Sequence, residues 1–120
     1  MTIVSNIGVA LVALLHIYFL ILEMFLWTKP SGLRTFGLTP EFAQASKTLA
    51  ANQGLYNGFL AAGLLCGLCC PPVIGFAFKV FFLGCVVVAG LYGGFTVGRK
   101  ILLVQALPGL IVLALVLLAG

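Results

Sequence analysis

An acid and an imidazole lie inside the first apolar stretch of this chain of 120 residues. His16 and Glu23 are seven residues apart, and Trp27 follows four residues later. At about 100° per residue in an α-helix, all three are expected on one face. Ionisable side chains are costly in an apolar environment, so their presence favours a functional role. Glu23 and His16 are therefore the candidate catalytic residues, and Trp27 is a candidate ligand contact or an anchor at the membrane interface.

Other polar side chains recur at helical spacing in the apolar segments that follow. Seven of them are candidate ligand contacts: Asn52, Gln53, Tyr56, Asn57, Tyr92, Thr96 and Gln105. Amides and tyrosines also join membrane helices by hydrogen bonds worth about 0.6 kcal/mol on average, so a purely structural role for them stays open. No nucleotide-binding or metal-binding motif accompanies them, and we expect neither a cofactor nor a metal.

The elements that position these residues are membrane helices. Hydrophobic residues make up 63% of the chain and charged residues 7%, against about 45–50% and about 25% in a soluble domain. This excludes a soluble or disordered chain. At about 20 residues per span, the length suits an all-α, integral membrane four-helix bundle with up-down topology. We expect a single domain over 1–120, with helices at about 3–27, 51–70, 76–97 and 101–118.

The long polar connection at 28–50 is expected at the membrane interface. Thr39, Pro40 and Glu41 have the form of a helix start, with Thr at the N-cap and Pro at the first helical position. A short interfacial helix is therefore expected to lead into the second span.

Positive charges predict the orientation of the bundle. Five cations flank the first and third connections, whereas Lys79 alone lies near the other side of the membrane; the five are Lys29, Arg34, Lys47, Arg99 and Lys100. Cytoplasmic loops are enriched in Lys and Arg, so both termini are expected outside. The bilayer of the bacterial inner (plasma) membrane is the expected location, and its anionic lipids the expected partner of the net charge of +4. No nucleic-acid partner is expected, because no basic stripe or base-stacking module occurs. No Lys or Arg precedes the first apolar run, which argues against a cleaved signal peptide.

This topology predicts that the polar residues share one depth. Glu23 would lie near the inner end of the first helix, and the seven candidate ligand contacts would lie at the same level. His16 would lie one to two turns deeper. Pro108 would deprive the Val104 carbonyl of its usual donor near Gln105. One polar site inside the bundle explains this arrangement economically.

Small residues predict close helix packing. Gly54 and Gly58 form one GxxxG pattern, and Gly90, Gly94 and Gly98 form a second. Glycine-rich faces of this kind are also candidate surfaces for a homo-oligomer.

Four cysteines raise a redox alternative: Cys66, Cys69, Cys70 and Cys85. The Cys66-x-x-Cys69 spacing is typical of dithiol enzymes, but it ends a predicted helix, where the dipole opposes a thiolate. Inert side chains, or a disulfide in an oxidising environment, are the favoured interpretation.

Four segments together carry a family resemblance: HIYFLILEMFLW at 16–27, ANQGLYNGFLAAGL at 51–64, AGLYGGFT at 89–96 and VQALP at 104–108. The chain resembles, over nearly its whole length, the small integral-membrane family known as domain of unknown function thirteen-zero-four. The resemblance implies a four-helix membrane protein without an established activity. It also places His16, Glu23, Trp27 and the seven candidate ligand contacts on motif positions, whereas the cysteine cluster is outside the motif.

Three functions remain open. The first is binding of a small apolar or lipid-like molecule in the polar pocket, near the cytoplasmic side, with isomerase-like acid-base chemistry by Glu23 and His16. The second is proton-coupled export of small molecules by a dimer that uses Glu23. The third is a structural or accessory membrane subunit.

Overall fold

The computed structural model describes residues 2–120, which form five helices and no strand. The helices are α1 (Thr2–Met24), α2 (Pro30–Phe36), α3 (Pro40–Cys69), α4 (Pro72–Thr96) and α5 (Arg99–Ala119). A π-helical turn, Leu102–Ala106, lies inside α5. The prediction of an all-α chain is confirmed.

Three of these helices are long and apolar enough to cross a membrane. They are α1, α4 and α5, with 23, 25 and 21 residues. At 1.5 Å per residue, each exceeds the roughly 30 Å of a bilayer's hydrocarbon core. The structure therefore describes a membrane protein with three candidate spans.

Helix α3 is the longest element, with 30 residues, but its composition does not make it a candidate span. Asn52, Gln53 and Asn57 lie in its middle and lower its hydropathy. The helix begins at Pro40, eleven residues before the predicted second span, so the connection at 28–50 is mostly helical. Thr39 Oγ1 accepts a hydrogen bond from the Phe42 N–H at 3.2 Å and caps this start.

Helix α1 ends at Met24 and not at the predicted residue 27. Lys29 precedes Pro30 and has the extended backbone, with φ −88° and ψ 162°, that a residue before proline favours. The Leu26 N–H is shared between the carbonyls of Ile21, at 3.2 Å, and Leu22, at 3.3 Å. The helix therefore loosens over its last turn and gives way to a tight connection.

One compact unit is Leu14–Ala61. It holds the second half of α1, α2 and the first two thirds of α3. Its helices approach closely at Gly54, where an added Cβ would lie 2.6 Å from Met24 Cγ and 3.1 Å from Glu23 Cβ. At Gly58 an added Cβ would lie 2.8 Å from Leu20 Cδ1. Within this unit, the first GxxxG pattern packs α3 against α1.

The other unit consists of the chain up to Ala13 together with Ala62–Gly120. Its core contains Val9, Leu64, Leu83 and Val86, all fully buried. Glycines again allow close approach: Gly90 packs on the backbone of Ala106, and Gly94 packs on the side chain of Leu102. Gly98, by contrast, has open space beside it.

The π-helical turn lies immediately before Pro108 in this second unit. Proline has no N–H and cannot continue the usual i to i−4 pattern. The preceding residue, Leu107, donates its N–H to the carbonyl of Leu102, five residues back. The backbone thus widens where the sequence predicted an unpaired carbonyl, and such π-turns are frequent at functional sites.

Candidate functional site

A carboxyl and an amide meet in the unit Leu14–Ala61. Asn57 Nδ2 donates a hydrogen bond of 2.5 Å to Glu23 Oε1. Glu23 is the last but one residue of α1, and Asn57, in the middle of α3, is only 4% exposed. Two polar side chains that are 34 residues apart in sequence are thus in direct contact.

Glycine packing is what brings this pair together. Asn57 lies three residues after Gly54 and one before Gly58, so all three lie near the line along which α3 touches α1. Because an added Cβ at Gly54 would collide with Met24 and crowd Glu23, only glycine allows the two helices this separation. The predicted packing role of the first GxxxG pattern therefore also positions the polar pair.

His16 lies on the buried side of α1 and is 0% exposed. Its ring meets the ring of Phe19 edge-on, with centroids 5.4 Å apart. Seven residues of helix, about 10 Å, separate it from Glu23 along the axis. A fully buried imidazole and a half-buried carboxyl thus share one helix, as the spacing predicted.

The candidate contacts on α3 are divided by the structure. The buried residues of α3 between positions 50 and 61 are Ala50, Gly54, Asn57 and Ala61. Asn52, Gln53 and Tyr56 are exposed instead. Tyr56, 53% exposed, packs its ring edge-on against Phe59. Asn57 alone among the four predicted contacts on this helix faces the interior of the unit.

Trp27 lies in the connection and not on the helix. Its Nε1 donates a hydrogen bond of 3.0 Å to Ser46 Oγ, and its ring packs on Phe36 with centroids 4.9 Å apart. Ser46 in turn donates to the Phe42 carbonyl at 2.7 Å. The backbone at 26–27 passes so close to Gly32 that no side chain fits there. Trp27 therefore fastens α2 and α3 to the end of α1, a role that the helical spacing did not show.

The remaining candidate contacts belong to the other unit. Tyr92 is 72% exposed on α4, and Thr96 Oγ1 donates to the Tyr92 carbonyl at 2.7 Å. Gln105 is half-buried within the π-helical turn. A common layer of these three with Glu23 stays a prediction.

The four cysteines are free thiols. Cys66 and Cys69 are exposed, and Cys70 and Cys85 are half-buried. Within residues 2–120, no group of three or more His, Cys, Asp or Glu side chains is placed to hold a metal ion.

One polar contact was not foreseen from the sequence. Lys79 Nζ donates a hydrogen bond of 2.7 Å to Asn6 Oδ1, which joins α4 to α1 in the second unit. Asn6 interrupts the first apolar run and Lys79 interrupts the third. A polar residue in each of two otherwise apolar spans was the sequence feature that could have predicted this contact.

Comparison with known proteins places the chain in a family. The profile of the family described as "protein of unknown function (DUF1304)" matches residues 10–117. The chain belongs to this family. A relative of this DUF1304 chain is the uncharacterized protein YpaA of Lactococcus lactis subsp. lactis (strain IL1403), which is 35% identical over 118 residues and 97% of each chain. No solved structure matches. The family's description assigns no activity.

Proposed function

We propose that this protein binds a small apolar or lipid-like molecule within the membrane and that Glu23 recognises the molecule's polar group. The proposal takes α3 as a fourth span, which makes 1–120 a single up-down four-helix domain. The protein lies in the inner (plasma) membrane of a bacterium, with both termini on the outer side of that membrane. Glu23, near the end of α1, then lies toward the cytoplasmic side.

The hydrogen bond between Asn57 and Glu23 carries the proposal. A neutral residue at position 23 would join the helices without the cost of placing a carboxyl in an apolar span. Asn57 also orients the carboxyl through the hydrogen bond to Oε1. The other oxygen, Oε2, can then accept a hydrogen bond from a second partner. A fixed polar group in apolar surroundings is the usual means of recognising a largely apolar ligand.

Acid-base chemistry on the bound molecule is the catalytic form of the proposal. Glu23 and His16 are two proton-handling groups of different chemistry on one buried helix face. Moving a proton between two positions of a substrate needs one group to accept and another to donate. An isomerisation of a lipid-like substrate fits this pair.

The test is mass spectrometry of non-protein molecules that stay with the gently purified protein. Glu23→Gln is the informative variant, because the glutamine carbonyl still accepts from Asn57 while the acid is lost. The matched control is Glu41→Gln, which changes the exposed acid in the first turn of α3. We expect a stoichiometric molecule in the wild type and in Glu41→Gln, but not in Glu23→Gln. The proposal would be contradicted if every molecule that stays with the wild type also stayed with Glu23→Gln.

Proton-coupled export is a second candidate, favoured by the neutrality of the amide partner. An Asn57 N–H can donate to the carbonyl oxygen of a carboxylic acid as well as to a carboxylate oxygen, although the bond to the carboxylate is the stronger. Glu23 can therefore take up and release a proton while it keeps the hydrogen bond from Asn57, and no ion pair has to break. Export from vesicles that stops with a protonophore, and that Glu23→Gln abolishes, would favour this candidate. Turnover in detergent without any gradient would favour the enzyme.

A further inference from the structure

A polar cleft lies in the unit formed by the chain up to Ala13 and Ala62–Gly120. Its volume is 530 Å³, within the range of about 300–1,000 Å³ that ligand sites occupy. Its walls come from the start of α1, the end of α3, the start of α4 and the end of α5. We propose that this cleft binds an amphipathic anion, with the headgroup on Lys79 and Asn6 and the apolar chain along the helix ends. The proposal is independent of Glu23.

The polar part of the cleft is rich in hydrogen-bond donors. Lys79 Nζ gives one N–H to Asn6 Oδ1, and an ammonium group has two more. Because Asn6 accepts through its oxygen, both N–H groups of its Nδ2 remain outside this bond. No Asp or Glu belongs to the described lining. A positive charge beside amide donors, with no acid in the wall, suits a carboxylate or phosphate headgroup.

Two glycines build the place where the lysine lies. An added Cβ at Gly67 would come within 2.8 Å of Lys79 Cγ and 3.2 Å of the Lys79 backbone nitrogen. An added Cβ at Gly75 would come within 2.5 Å of the Gly67 carbonyl oxygen. Helices α3 and α4 therefore approach each other by backbone contact, and the lysine stem passes through the space that Gly67 leaves open.

The position of Lys79 argues for more than a structural bond. It is the eighth residue of α4, about 10 Å along the helix from Pro72. A lysine within a span is costly, and a bond from a neutral glutamine to Asn6 would hold the helices at less cost. A bound anion lowers this cost because its charge attracts and partly offsets that of the ammonium group.

The rest of the lining suits an apolar chain. Leu68, Val73, Phe76, Val116 and Ala119 contribute to the wall. Val73 is 85% exposed, so one side of the cleft is open at the surface of the unit. A ligand with its headgroup on Lys79 and its alkyl chain along these residues would contact both the polar and the apolar part of the cleft. Free fatty acids, alkyl phosphates and anionic membrane lipids share this chemistry.

The experiment measures binding of dodecyl phosphate and dodecanoate to the full chain in a non-ionic detergent. Micelle partitioning of each probe is the same for every variant, so variants are compared for one probe. We expect one bound probe per chain, with the affinity reduced at least about tenfold in Lys79→Met and held within about threefold in Lys79→Arg. Lys47→Met is the matched control for net charge, because Lys47 is exposed on α3, and it is expected to bind like the wild type.

A second variant keeps the proposal testable if Lys79→Met fails to fold. Ala119→Phe adds bulk to the cleft wall from the last turn of α5 and leaves Lys79 in the chain, and it is expected to abolish binding of both probes. Dodecanol binding that falls as much in Lys79→Met as dodecyl phosphate binding does would overturn the role of the charge. Inorganic phosphate that binds as tightly as dodecyl phosphate would overturn the role of the alkyl chain.

Nanodiscs of phosphatidylglycerol and of phosphatidylcholine distinguish the two sources of the anion. Competition by phosphatidylglycerol alone identifies a membrane lipid headgroup. Competition by neither lipid identifies a free amphipathic anion.

Discussion

Asn57 Nδ2 lies 2.5 Å from Glu23 Oε1 and joins α3 to α1 across 34 residues of sequence. The contact depends on Gly54, because any larger residue there would push Glu23 and Met24 away. Packing and polar contact are therefore coupled at this place: the small residue sets the distance between helices, and the polar pair fills it.

The first prediction concerns the energy of this pair. Glu23→Met and Asn57→Ala each remove one partner, and the double variant completes a mutant cycle. We expect a coupling free energy of about 0.6 to 1.7 kcal/mol, the average and the upper end for hydrogen bonds between membrane helices. Reversible unfolding in mixed micelles measures it.

Glu23→Gln is the control for this cycle. It keeps an acceptor for Asn57, so we expect its free energy of unfolding to stay within about 0.5 kcal/mol of the wild type. A coupling energy of zero, or a loss in Glu23→Gln equal to that in Glu23→Met, would show that the hydrogen bond does not hold the helices.

The second prediction concerns the glycine that sets the spacing. In Gly54→Ala the new methyl group would overlap Met24 Cγ, at 2.6 Å, and such overpacking costs about 1–3 kcal/mol. Gly84→Ala is the matched control, because nothing lies within 4 Å of an added Cβ there. Alanine favours a helix more than glycine does, so Gly84→Ala is expected to unfold no earlier than the wild type. Thermal unfolding in detergent measures both, and equal midpoints would argue against the close approach.

Helical class and local packing could be read from the sequence because they depend on short-range patterns. Apolar runs predicted α1, α4 and α5, and the GxxxG spacing predicted close contact at Gly54. Thr39 and Pro40 predicted a helix start, which the structure shows at Pro40. Each of these follows from residues within one or two turns of each other.

Helix ends and the direction of polar side chains were harder to predict. Trp27 continues the spacing of His16 and Glu23 but is not helical. Pro30 favours an extended backbone at Lys29, the residue before it, and α1 ends at Met24. Gln53, Tyr56 and Asn57 have helical spacing, yet Asn57 alone is buried, because Gly54 decides which side of α3 meets α1. These features depend on the partner helix, which a pattern within one helix does not contain.

The third prediction concerns the connection after α1. Trp27→Phe keeps the ring packed on Phe36 but removes the indole N–H that Ser46 accepts. Ser46→Ala removes the acceptor, and each change is expected to cost about 0.5–1.5 kcal/mol. Because both remove the same bond, the double variant is expected to cost less than the sum of the two. Amide hydrogen exchange of α2 measures the loosening, and additive effects would show that the bond does not couple the two residues.

The fourth prediction concerns orientation, which the proposal places with both termini outside. Cys69 ends α3 and is exposed, so in a variant with this single cysteine a membrane-impermeant maleimide is expected to label intact cells. Lys47→Cys, in a chain without other cysteines, lies near the other end of α3 and is expected to react only after permeabilisation. Cys85, about 20 Å along α4 from Pro72, is expected to stay unlabelled in both conditions, because a water-soluble maleimide does not enter the hydrocarbon core of the membrane. The reverse pattern for Cys69 and Lys47→Cys would mean that the termini face the cytoplasm, and labelling of both positions from outside would mean that α3 does not cross the membrane.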